Sequence, residues 1–129
     1  MTDLSKMNSI INKLADEEFK FGENDCYIFT AKLVKEWHGK DYTKLHAVYS
    51  NDEEAKKYME LHGGIEELTK ETLGYPIDPV ACRNGDVVTA MVGDGIALGF
   101  VYNGYGLFKS KKKVFRLSLD DCSKGWRIN

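Results

Sequence analysis

Residues 87–108 read Val87-Val88-Thr89-Ala90-Met91-Val92-Gly93-Asp94-Gly95-Ile96-Ala97-Leu98-Gly99-Phe100-Val101-Tyr102-Asn103-Gly104-Tyr105-Gly106-Leu107-Phe108. β-Favouring runs are broken first by Gly93-Asp94-Gly95 and then by Asn103-Gly104, residue types that supply the positive φ angles a tight reversal between antiparallel strands requires. The second run carries Ile96, Leu98, Phe100 and Tyr102, a short β-favouring set. A further run at Val114, Phe115 and Leu117 follows the lysine-rich stretch Lys109 to Lys113, which reads as a solvated hairpin turn. The second half of the chain is therefore expected to be an antiparallel β-meander.

Ahead of it the period is 3.6. Leu4, Met7, Ile10, Ile11 and Leu14 recur at helical spacing, with Thr2 or Asp3 available as a cap. Asn24 or Asp25 can cap a second helix that begins near Cys26, carries Phe29, Leu33 and Trp37 on one stripe and ends at Gly39. The spacing predicts a third helix from Asn51 or Asp52 to His62, stopped by Gly63-Gly64, and a fourth over 65–73, closed by Gly74 and the turn-forming Pro76 and Pro79. Residues 40–50 are irregular and aromatic, with Tyr42 and Tyr49. Helices first and strands second make an α+β fold, and 129 residues suit one domain spanning 1–129.

Composition narrows the function classes. Hydrophobic residues make up 43% and charged residues 29%, an ordinary globular balance. A formal charge of −2 provides no basic field for a polynucleotide backbone, so nucleic acid is not expected as a partner. No apolar stretch approaches the ~20 residues of a membrane span, and no signal-peptide core is present at the N-terminus. Cys26, Cys82 and Cys122 are odd in number and widely spaced, a pattern of free thiols that suggests neither a disulfide framework nor a metal site. No cofactor is expected.

The chemistry-bearing stretch is Phe21-Gly22-Glu23-Asn24-Asp25-Cys26-Tyr27-Ile28-Phe29. It sets a thiol at a helix start, where unpaired N–H groups and the positive end of the dipole favour a thiolate and can also donate to an oxyanion. A small apolar core residue is the alternative for the same cysteine. Farther on, Asn84-Gly85-Asp86-Val87-Val88 leads into the strands. In order and separation these two motifs resemble the nucleophile motif and the Gly-Asp-hydrophobic-hydrophobic signature of NlpC-type, papain-like cysteine hydrolases, and the helix-then-meander layout agrees over nearly the whole chain. The closing Gly125-Trp126-Arg127-Ile128 resembles the end of small proteins encoded among phage tail genes.

The resemblance implies Cys26 at the nucleophile position, and it also exposes a departure. In the active families a histidine opens the strand after the Gly-Asp motif and takes the proton of the cysteine. That position corresponds here to Ala97, and the residue that would orient the histidine corresponds to a site near Lys109, a cation without an acceptor. Of the three histidines, His38 stands roughly 18 Å along the same helix from Cys26 at ~1.5 Å rise per residue, and His62 suits a helix C-terminus. His46, in the irregular segment, is the candidate base. Asp25 can support an imidazolium or cap the helix. Tyr102, Tyr105 and Phe108 around the Asn103-Gly104 turn can line a carbohydrate- or peptide-binding face, or pack as core and cross-strand pairs.

The expected function is that of a phage virion or tail-assembly protein on a degenerate cysteine-hydrolase fold, located in the virion or the host cytoplasm. Its expected partners are other virion or tail proteins, and peptidoglycan. The rival is an active cysteine peptidoglycan hydrolase that uses Cys26. A third reading is a small host-interacting protein acting through its aromatic turns.

Overall fold

The structure, a computed structural model, describes residues 4–20, 23–41, 49, 51–93 and 95–128. Among these, four α-helices precede the sheet: α1 (Leu4–Asp16), α2 (Cys26–His38), α3 (Asp52–Leu61) and α4 (Ile65–Leu73). The caps expected for α2 and α3 are in place, while Thr2 and Asp3, the candidates for α1, lie outside the described residues. Asp25 Oδ1 accepts from the Ile28 N–H at 2.8 Å and Asn51 Oδ1 from that of Glu54 at 2.8 Å, while Gly39 closes α2 in the left-handed conformation at φ 77°. α2 buries Tyr27, Ile28, Phe29, Thr30, Ala31, Leu33 and Val34, so it is enclosed on more than the one stripe its apolar spacing suggested.

The sheet is antiparallel, with β1 (Val87–Val92), β2 (Gly95–Tyr102), β3 (Tyr105–Lys109), β4 (Val114–Ser118) and β5 (Lys124–Trp126) in the order β4-β3-β2-β1-β5. β1 to β4 form the expected meander. β5 comes from the Gly125-Trp126 stretch, which sequence reading treated as a terminal motif. It pairs with the free side of β1, Val88 opposite Gly125, and Trp126 drops into the core with its indole N–H donated to Gly74 O at 3.0 Å.

Strand alternation divides the side chains between two faces. Val87, Leu98, Phe100, Tyr102 and Trp126 pack with Met7, Phe29, Leu33 and Leu68 in the main core between helices and sheet. Val88, Ala90, Val101 and Phe108 form a second cluster on the opposite face, covered by two 3-10 turns at Pro79–Ala81 and Leu119–Asp121.

The Gly-Asp motif has a structural role. Gly85, at φ 95°, lies beneath the Trp37 indole, where a Cβ would collide with the ring, and His38 Nε2 donates to its carbonyl at 2.8 Å. Asp86 is 1% exposed and ties the loop before β1 to the C-terminal strand: it accepts from the N–H groups of Arg83 at 3.0 Å and Ile128 at 3.2 Å and faces Arg127 Nε at 3.8 Å.

The lysine run is split. Lys111 to Lys113 are in or beside the exposed turn as expected, but Lys109 is only 4% exposed. Its ammonium donates to the carbonyls of Leu14 at 3.0 Å, Ala15 at 3.3 Å and Glu17 at 2.7 Å, at the C-terminal end of α1. There it meets the negative end of the helix dipole as well as three acceptors.

Candidate functional site around Cys26

Cys26 is the first residue of α2, and its half-buried side chain stands on the wall of an open cleft of about 630 Å³. Phe19, Tyr49, Met59, Ile65 and Ile96 supply much of the apolar lining, while Asp52, Lys56 and Glu60 of α3 bring charge to it. The backbone N–H groups of Leu98, Tyr27 and Cys26 itself are near enough to the sulfur to favour its thiolate form. The helix-start donors expected from sequence are therefore present, joined by one from β2.

They do not activate the thiol. Burial is the largest influence and the neighbouring Asp25 carboxylate adds to it, so the pKa of Cys26 is pushed up to about 11 despite the three N–H groups. Desolvation of a thiolate outweighs the helix dipole here, which favours the small-apolar-residue reading of Cys26 over the activated thiolate. Asp25 is committed as the cap of α2 and also accepts a hydrogen bond from the Tyr49 hydroxyl. Burial and that carboxylate push the ionisation of Tyr49 upward, which keeps its hydroxyl a donor. Sequence reading passed over Tyr49 as one aromatic of an irregular segment. Its partner lies 24 positions earlier, and no local pattern links the two.

The position of the missing base also changes. Ala97 packs with Val88, Ala90, Val101 and Phe108 on the sheet face turned away from α2. The β2 side chain that enters the Cys26 cleft is Ile96, one residue earlier. A histidine at 97 would face the wrong side of the sheet, whereas one at 96 would stand on the cleft wall. Ile96→His is accordingly expected to raise the alkylation rate of Cys26 at neutral pH by roughly tenfold or more, the effect of lowering its pKa by at least a unit. Ala97→His should leave the rate unchanged; rates measured with iodoacetamide and peptide mapping would expose an error in this assignment if the two variants behaved alike.

No described histidine lines the cleft. His38 is held by Gly85, and His62, at the C-cap of α3, pairs through Nδ1 with Glu71 Oε2 at 3.0 Å and lies against the Tyr58 ring. His46, the candidate base, and Gly22 of the nucleophile motif lie outside the described residues. Among those described, no group of three or more histidine, cysteine or acidic residues is arranged to hold a metal ion.

The proposed aromatic face does not assemble. Tyr102 is buried on the helix side, its hydroxyl donating to Asn8 Oδ1 at 2.8 Å. Phe108 is buried on the opposite side, stacked on Phe115 and lying over Gly99 and Gly106, where a Cβ would collide with its ring. Tyr105 alone of the three reaches solvent, 37% exposed, under the Arg116 guanidinium. Two of these residues are therefore core, because strand alternation and the thickness of the packed layers decide their exposure rather than proximity to the turn.

The family model for a domain of unknown function, DUF6950, matches residues 3–128. The chain belongs to the DUF6950 family. The match runs from the start of α1 through Ile128, so the cleft, the Gly-Asp loop and the returning β5 strand all lie within the DUF6950 domain. No curated protein matches the chain. No helix among the described residues is long and apolar enough to cross a membrane.

Proposed function

We propose that this DUF6950 domain is a bacteriophage virion or tail-assembly protein whose cysteine-hydrolase-like scaffold no longer catalyses and instead serves protein contacts or peptidoglycan binding. The observation that carries the non-catalytic part is the cleft lining around Cys26, where β2 presents Ile96 and no described residue is a histidine; burial also pushes the thiol up to about 11. A cysteine hydrolase needs the opposite, a thiolate at neutral pH held by an imidazolium. Support for the phage role is the resemblance of the terminal Gly125-Trp126-Arg127-Ile128 motif to the end of small proteins encoded among phage tail genes; detection of the protein in purified phage particles tests it.

The test of the silent site is the alkylation rate of each cysteine in the native protein as a function of pH. A shift from the ordinary 9.0 to about 11 leaves about a hundredfold less thiolate below both values, so Cys26 should react about a hundredfold more slowly than an ordinary thiol and accelerate only toward strongly alkaline pH. The open cleft and the three N–H groups at the sulfur keep one second reading in play, an active peptidoglycan hydrolase with His46 as base. That reading takes over if Cys26 titrates well below the ordinary 9.0 and His46→Ala abolishes the shift, or if turnover of a cell-wall peptide disappears in Cys26→Ala.

A further inference from the structure

The face of the sheet opposite the helices carries two matching turns. Asp78-Pro79-Val80-Ala81-Cys82 and Ser118-Leu119-Asp120-Asp121-Cys122 each form one 3-10 turn whose N-cap side chain accepts the N–H two residues on: Val80 N–H to Asp78 Oδ1 at 3.1 Å, and Asp120 N–H to Ser118 Oγ at 3.4 Å. Each turn ends on a cysteine whose N–H donates three residues back, Cys82 to Pro79 O at 3.0 Å and Cys122 to Leu119 O at 3.2 Å. Both cysteines then leave in extended conformation, at φ −73° and −91°. The two turns pack against each other, and both thiols sit on the one cluster of Val88, Ala90, Val101 and Phe108.

Forty positions separate these cysteines in sequence, which is why their spacing suggested unrelated free thiols. The fold cancels that separation by returning β5 to the side of β1. Cys82 lies against Gly125 of β5, and Cys122 stands just before that strand. The two are near enough that a charge on Cys122 raises the pKa of Cys82, although burial is the larger cause for each, pushing both up to about 11. Cys26 is on the other side of the sheet, in the cleft by α2.

We propose that Cys82 and Cys122 are a disulfide-forming pair, joined when the protein meets an oxidising environment, so that the bond staples the two 3-10 turns across the back of the sheet. The oxidant is a small-molecule disulfide. One cysteine thiolate attacks it, releasing one thiol and leaving a mixed disulfide. The second cysteine, deprotonated, displaces the other thiol as the protein S–S bond forms, so the protein loses two protons and two electrons and the small disulfide is reduced to two thiols. The resulting link closes the segment containing β1 to β4 and restricts the unfolded chain more than the folded one. The inference does not depend on the phage reading.

Oxidised glutathione added to the native protein at mildly alkaline pH tests it, with intact-mass measurement and peptide mapping after the remaining thiols are alkylated in denaturant. The expected result is a mass lower by two hydrogens, one linked peptide pair containing Cys82 and Cys122, and Cys26 recovered as the alkylated thiol. The Tm should rise by several degrees and return on reduction, and Cys82→Ser or Cys122→Ser should each abolish the link. A fluorogenic reagent that lights up only on bridging two close thiols should label the same pair. Glutathione adducts without a linked pair, a link through Cys26, or unchanged mass after exhaustive oxidation would each overturn the proposal.

Discussion

Asp86→Ala is expected to destabilise the fold by about 4 kcal/mol, roughly a thousandfold in the folded-to-unfolded ratio and a large share of the ~5–15 kcal/mol that holds a domain together. The carboxylate is fully enclosed, and three groups converge on it from the adjoining loop and from the C-terminal segment: the N–H groups of Arg83 and Ile128 and the guanidinium of Arg127. Truncation strands the two N–H donors, each costing about 1–3 kcal/mol when left unpaired out of water. Arg127 loses less, because its side chain is 43% exposed and still donates to Ala81 O at 3.0 Å. Asp86→Asn keeps one side-chain acceptor and should lose about half as much. Urea unfolding followed by circular dichroism reads both values, and an Asp86→Ala midpoint close to wild type would show that the residue does not pin β5 to the Gly-Asp loop.

That pin marks the boundary of what the sequence discloses. The helices and the first four strands are legible because each carries its own pattern and punctuation: the 3.6-residue recurrence from Leu4 to Leu14, the β-favouring run from Ile96 to Tyr102, and the glycines at 39, 63, 93 and 104. β5 has only three residues and no period of its own, and it exists because β1 and Ile77 offer it partners. The position of Cys26 at the start of α2 could be read locally, but its thiol pKa depends on burial by elements distant in sequence. The face of Ala97 was accessible in principle. Leu98, Phe100 and Tyr102 pack in the main core and Ile96, two residues before Leu98, shares their face, so strand alternation places 97 on the other side.

The lysine run shows the same boundary from the side of charge, since nothing local separates Lys109 from the solvated Lys111, Lys112 and Lys113. Its three acceptors lie 92 to 95 residues earlier. In the folded chain burial lowers its pKa, while Glu17 and Asp16 push it back up, and the α1 carbonyls hold the ammonium. Lys109→Met preserves much of the side-chain length but removes the charge and all three donors. Asn24 Nδ2 still reaches Leu14 O at 3.4 Å and Glu17 O at 3.2 Å, so two of the carbonyls retain one weaker partner. The expected loss is about 3 kcal/mol, within the range for removing hydrogen bonds to a buried charge, and a Tm lower by roughly 10 °C. Lys112→Met, three positions on in the exposed turn, should stay within about 0.5 kcal/mol of wild type. Because the lost bonds join α1 to β3, hydrogen exchange in Lys109→Met should accelerate first at the amides of α1. Equal stability of the two variants would mean that Lys109 belongs with the solvated run after all.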